Sequence, residues 1–260
     1  MTCPTRLPDL STVIYEPRIE DRPRMETANS VYRHNRNVRI CHWINVIAFC
    51  YLVVSGVHVF LDFPELYWGK VGFRGHPAVF RLSDWGISWD QAGAMGDRKW
   101  GRNYHFLFAW ISVINGLVYV SWNVWNKHFR RNLLPSRDEL TRQSLKTDLV
   151  DHLRLRSPVA KAAGRYSVLQ KISYFIVIFI VSPFMILSGL AQMPAFTAIS
   201  PELIDLFGGR QTARTLHVIG MLWMILFVLV HVFEVFVAGV VNEVRSMITG
   251  KYAVQGEDTE

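Results

Sequence analysis

The chain has 260 residues, half of them hydrophobic and 19% charged, with 28 Lys and Arg against 21 Asp and Glu for a net charge of +7. Its positive mean hydropathy and the gathering of apolar residues into four long runs exclude an ordinary soluble domain. Basic residues that flank those runs instead of alternating with aromatics exclude a nucleic-acid binder, and Cys3, Cys41 and Cys50, which lack CxxC spacing, exclude a disulfide framework or thiolate metal site.

The first 41 residues are polar and rich in Pro and Arg, and the apolar run after them is too long for a signal-peptide core, so they predict a retained tail. About 20 apolar residues cross a bilayer as a helix. Spans are therefore expected at about Trp43 to Phe63, His105 to Trp125, Lys171 to Ala191 and Leu216 to Val241. Lipid offers no partners to free backbone groups, so each span is a helix. The fold class is all-α, an integral membrane four-helix bundle over residues 42–252, with tails at 1–41 and 253–260.

His42 opens the first span, and His58 lies 16 residues later. The outer loop from Pro64 to Tyr104 carries Trp68, Trp85, Trp89 and Trp100, too many aromatics for a disordered linker, and predicts a folded cap or docking surface. His105 opens the second span. The next loop holds Leu133-Leu134-Pro135 and a charged, helix-compatible stretch through Arg156. Ser55-Gly56 and Ser188-Gly189, near the ends of the first and third spans, hint at a two-fold repeat of helix pairs. His217 and His231 lie on the fourth span, whereas His34, His76, His128 and His152 fall outside the spans and are expected in solvent or loops.

Seven Lys and Arg precede the first span, eleven lie between the second and third, and two follow the fourth, against eight in the other two loops. The positive-inside rule then puts both termini in the cytoplasm.

An ionisable side chain within lipid points to function. Fourteen residues at about 100° each leave His217 and His231 about 40° apart around the helix and about 21 Å apart along it, so one face offers two ligands at two depths. With alternating span directions, His42 meets His231 at the inner level and His105 meets His217 at the outer. Neutral imidazoles in such pairs suit two b-type haem irons, placed for electrons to cross the bilayer. His58 faces about 160° away from His42 on an ideal helix and is the competing candidate for the outer site if the helix kinks near Gly56. Gly56, Gly116, Gly189 and Gly220 would admit a flat macrocycle or a neighbouring helix. Arg39 at the inner edge, and Arg102 or Arg214 at the outer, are candidates to pair with propionates.

Arg39-Ile40-Cys41-His42-Trp43-Ile44-Asn45 followed by Ser55-Gly56 resembles the first helix of the membrane cytochrome b subunits of bacterial formate dehydrogenases, thiosulfate reductases and nickel–iron hydrogenases, a cytochrome b561-like family. So do Tyr104-His105-Phe106 with Asn115-Gly116, the run from Phe207-Gly208-Gly209-Arg210 to His217, and the ending from His231 to Asn242 and Ser246-Met247-Ile248-Thr249-Gly250. The resemblance implies His42, His105, His217 and His231 as ligands, a quinone site near the inner haem, a catalytic partner on the outer face and the bacterial inner membrane. The Trp-rich loop is most similar to the variant serving periplasmic molybdenum enzymes. Quinone contacts are expected among Asn45, Gln170, Lys171 and Tyr174. The leading expectation is electron exchange between the quinone pool and an extracytoplasmic redox enzyme. A self-sufficient quinol-dependent reductase of a small outer acceptor and a haem-free membrane anchor stay open beside it.

Overall fold

The computed structural model describes residues 25–27, 30–126, 135, 139–154 and 167–253. In chain order these form β1 (Met25–Thr27), β2 (Ser30–Tyr32), α1 (Arg36–Asp62), β3 (Glu65–Leu66), β4 (Phe80–Arg81), α2 (Trp89–Met95), α3 (Arg98–Trp125), α4 (Arg142–Leu153) and α5 (Val168–Ile176). A π-helical segment, Val177–Val181, leads into α6 (Ser182–Leu190); α7 (Pro194–Thr197), α8 (Glu202–Leu206), α9 (Arg210–Val237), α10 (Val240–Thr249) and β5 (Lys251–Ala253) follow.

Among the described residues, four helical stretches are long and apolar enough to cross a membrane: Arg36–Asp62, Arg98–Trp125, Val168–Leu190 and Arg210–Val237. The first three start earlier than their hydrophobic runs because polar residues ahead of each run serve the helix. The Asn35 side chain accepts from the Asn37 amide and Asp97 from the Trp100 amide, while Ser167 and Gln170 form a reciprocal capping box. Such contacts satisfy N–H groups that have no partner inside the helix. The fourth span also ends sooner than the expected Val241: Gly239 takes φ 100° and redirects the chain into α10. In the third span Pro183 has no N–H to give and its ring crowds the preceding turn; the π-helical segment just before it widens the helix there, and the Ser182 hydroxyl donates to the Val177 carbonyl at 2.8 Å.

The helices pack as two pairs, α1 along α3 and α6 along α9. Gly101 brings α3 against the His58 Cβ and the Ser55 carbonyl of α1, where an added Cβ would lie 2.8 and 3.1 Å away. The buried Asn115 side chain crosses from α3 to the Cys41 carbonyl and the Asn45 side chain of α1.

The loop between α1 and α3, the outer loop of the expected topology, is folded. β3 pairs with β4, Tyr67 is fully buried, and a Ser88–Gln91 capping box starts α2. This loop also holds the start of α9, which has no side-chain cap of its own: the Gly69 carbonyl accepts from the amides of Gln211 and Thr212, and Thr212 Oγ1 accepts from the Gly69 amide. Thr215 adds a 2.7 Å bond to the Tyr67 carbonyl.

At the opposite end, β2 lies between β1 and β5, so the described ends of the chain meet on one side of the bundle. The shielded Arg33–Glu243 ion pair closes that junction at 2.9 Å. His34 lies in a loop, one of the two positions expected for it, and is buried there at 7% exposure because the chain folds back over it at Gly250. Between the second and third spans, the inner loop of the expected topology, the expected helical stretch is α4; Asp148 accepts from the Leu169 amide, and Glu139 pairs with Lys171 at 2.8 Å. Leu133 and Leu134 and the His128 and His152 side chains lie outside the described residues.

Candidate haem site

α1 runs opposite to α9, which puts its start beside the end of α9, whereas α3 runs parallel to α9, which puts their starts side by side. The rings of His42 and His231 stand with centroids 6.4 Å apart and planes at 60°; those of His105 and His217 stand 6.1 Å apart at 69°. Imidazole nitrogens bind such metals at about 2 Å and the ring centre lies about 1 Å behind the nitrogen, so a metal accepting one nitrogen from each ring needs centroids about 6 Å apart. Both pairs have that separation. Two imidazoles leave most of a coordination sphere to be filled, which suits a metal carried in a macrocycle.

Two buried atoms near the inner pair meet no hydrogen-bond partner among the described residues: His42 Nδ1 and Arg39 Nε. Arg39 gives one Nη to the Ile248 carbonyl. A polar atom buried without a partner costs on the order of 1–3 kcal/mol, so an anionic group reaching Arg39 would be stabilising there.

The four glycines divide. A Cβ on Gly56 would stand 3.4 Å from His105 Cε1 and one on Gly189 3.4 Å from His217 Cε1, so these two let the outer rings approach the helix backbone. Gly116 has open space where a side chain would be, on the His105 face of α3 and about 16 Å deeper. Gly220 serves the helix pair instead, its Cβ position lying 2.5 Å from Met185 Sδ.

Arg214 is committed to the outer loop. It donates to the carbonyls of Phe63 and Glu65 and lies over the Phe63 ring at 4.9 Å. Arg102 is exposed. His58 does not join the outer pair: its Nδ1 accepts from the Asp97 amide at 3.0 Å and its ring meets Trp100 edge-on at 5.1 Å.

Over residues 33–250 the sequence matches the prokaryotic cytochrome b561 family. The chain belongs to that family. It is a multi-pass membrane cytochrome of the b type that carries electrons across the bilayer. A putative protein-methionine-sulfoxide reductase subunit of Azospira oryzae is 29% identical over 82% of the chain and 93% of its own length. A probable Ni/Fe-hydrogenase B-type cytochrome subunit of Cupriavidus necator is 26% identical over 86% of the chain and 88% of its own length.

Sequence reasoning singled out no role for two residues of this cytochrome that touch the ligand candidates. Ser55 Oγ lies 3.1 Å from His105 Nδ1, and Ser188 Oγ lies 2.9 Å from His217 Nδ1. Their signal was the repeated Ser-Gly pair, in which serine bonds the ring and glycine makes room for it.

At the inner end, Asn45 is bonded to Asn115, Gln170 caps its own helix, and Lys171 is paired with Glu139. Tyr174 stands on the same turn of α5.

Proposed function

We propose that His42 with His231, and His105 with His217, would hold the irons of two b-type haems at the inner and outer levels of the membrane. The observation that carries this reading is the pair of ring separations, 6.4 and 6.1 Å, each fitting one metal between two imidazoles. A bound b haem supplies a one-electron iron couple; the chain's part is to hold the rings, exclude water and set the distance between the two levels. That distance is about 21 Å along α9 between the ligands. Residues 42–252 make this cytochrome unit, between tails at 1–41 and 253–260.

The Lys and Arg distribution supports cytoplasmic termini in a bacterial inner membrane, and the strand pairing of the two chain ends fits an even number of crossings. The named relatives are subunits of redox enzymes, one a reductase and one a hydrogenase, which supports service to a catalytic redox subunit. In our reading that subunit sits outside the cytoplasm, over the folded aromatic loop, with quinone exchanging electrons at the inner haem. A molybdenum-containing partner rests on the likeness of that loop alone. Quinone contact through Asn45, Gln170, Lys171 or Tyr174 requires exchange of the contacts each already makes. Arg39 is the first choice for a propionate, through its unpartnered Nε.

The test is haem quantitation with a reduced-minus-oxidised optical spectrum on the wild type, His217→Ala and His231→Ala. Two b haems in the wild type, with each variant losing a different one, are expected. A wild type with one haem, or two variants that lose the same haem, would overturn the assignment.

A further inference from the structure

The two histidine pairs differ in what stands behind them. Behind the outer pair are two serine hydroxyls, one on α1 and one on α6, both with no exposure to solvent. Behind the inner pair, His42 Nδ1 has no hydrogen-bond partner among the described residues.

A serine hydroxyl has one proton to give, and in both cases the helix takes it. Ser55 Oγ donates to the Tyr51 carbonyl at 2.5 Å, with Leu52 at 3.3 Å; Ser188 Oγ donates to the Met185 carbonyl at 3.2 Å. This is the back-bond a buried helical serine makes to the preceding turn. With the proton so committed, the oxygen can only accept from the ring it faces. Nδ1 of His105 and Nδ1 of His217 therefore carry the hydrogen. In a neutral imidazole the other nitrogen then holds the lone pair, and Nε2 is the atom free to bind a metal.

We propose that Ser55 and Ser188 are positioning residues for the outer haem, fixing the metal-binding tautomer of His105 and His217 and lowering the reduction potential of that haem alone. The proposal rests on the outer ligand pair assigned above. A ligand histidine that donates its second N–H becomes more basic toward the metal, and a more basic ligand favours the oxidised iron. Among the described residues His42 has no such acceptor, so the effect tilts the path toward electrons moving from the outer level to the inner.

The repeat of Ser-Gly on α1 and α6 follows from this arrangement. Each serine holds one outer ring and each following glycine leaves that ring space to lie against the helix, so the pair recurs once per ligand.

The experiment uses the purified full-length cytochrome and its Ser55→Ala, Ser188→Ala, Ser55→Thr and Ser188→Thr variants. Haem is counted per chain, and the midpoint of each haem is read by potentiometric titration, with the outer haem identified by its loss in His217→Ala. The Ala variants should keep the inner midpoint and raise the outer one, while the Thr variants, which keep the hydroxyl, hold it near the wild-type value. Selective loss of the outer haem in an Ala variant, restored by Thr, would also support the role. Ala variants with two haems and an unmoved outer midpoint would overturn the proposal, as would equal shifts of both haems. If His217→Ala retains both haems, the ligand assignment itself fails, which is a separate result.

Discussion

The side-chain amide of Asn115 donates to the main-chain carbonyl of Cys41 across 2.9 Å, tying the second span to the residue immediately before His42. The same nitrogen reaches Asn45 Oδ1 at 2.7 Å, and Asn115 is buried at 6% exposure. Replacing it with Ala would leave both acceptors without their donor, at a cost on the order of 1–3 kcal/mol. The backbone around His42 would lose its tether, so Asn115→Ala should shift the midpoint or occupancy of the inner haem and spare the outer. Redox titration of the purified variant checks this; an outer haem disturbed as much as the inner would count against it.

His58 has a different occupation from the other span histidines. Its Nδ1 accepts from the amide of Asp97, the residue that caps α3, so the ring steadies the start of the second span. His58→Ala should retain two haems per chain while lowering the thermal unfolding midpoint by the equivalent of about 1 kcal/mol, the usual worth of one hydrogen bond. Loss of a haem in this variant would return His58 to the list of ligands.

What was legible in the sequence was whatever obeyed a local rule. Four apolar runs gave four helices, and fourteen residues between His217 and His231 gave one helix face with two rings at two depths. Span direction alone then matched those rings with His42 and His105. Contacts between distant segments were not legible. Ser55 and Ser188 gain meaning only from rings on other helices, and Arg214 reads as a membrane-edge cation until the outer loop offers it the carbonyls of Phe63 and Glu65. Lys171 looked free because Glu139 lies in a distant stretch of the chain, whereas Gln170 belongs to a local Ser167-x-x-Gln170 capping signature that went unread. The first three spans start earlier than expected because hydropathy is blind to capping, and the fourth because Gly69 of a distant loop accepts from its first amides.

Tyr67 lies in the outer loop with no exposure to solvent, its hydroxyl donating to the Glu65 carboxylate and the Phe73 carbonyl. Burial, and then the bond to Glu65, pushes its phenol up to about 12, from an ordinary value near 10. The folded value exceeds the unfolded one, so the stability this group contributes is complete below about pH 10 and is lost as pH rises toward 12. An alkaline titration of phenolate absorbance should show a late tyrosine that Tyr67→Phe removes. A wild-type titration finished near pH 10, with no late step, would contradict the buried hydroxyl.

Gly209 sets where the fourth span begins. It takes φ 131°, and a Cβ there would lie 2.3 Å from the Gly69 carbonyl oxygen and 2.7 Å from the Lys70 nitrogen, both backbone atoms that cannot swing aside. Gly209→Ala therefore combines a strained conformation with a main-chain clash, for a loss on the order of 2–4 kcal/mol. Relief requires moving the Gly69 loop off the first turn of α9, which would undo the bonds to Gln211 and Thr212. His217 sits two turns beyond that start, whereas His231 is a further four turns down the helix. The outer haem should thus be lost or spectrally altered in Gly209→Ala before the inner one. Gly75→Ala is the control: φ is 93° but, apart from its chain neighbours, no atom of the described residues lies within 4 Å of the new Cβ, so it carries conformational strain without the clash and should keep both haems. If the two variants bind haem alike, the Gly69 contact does not position the fourth span.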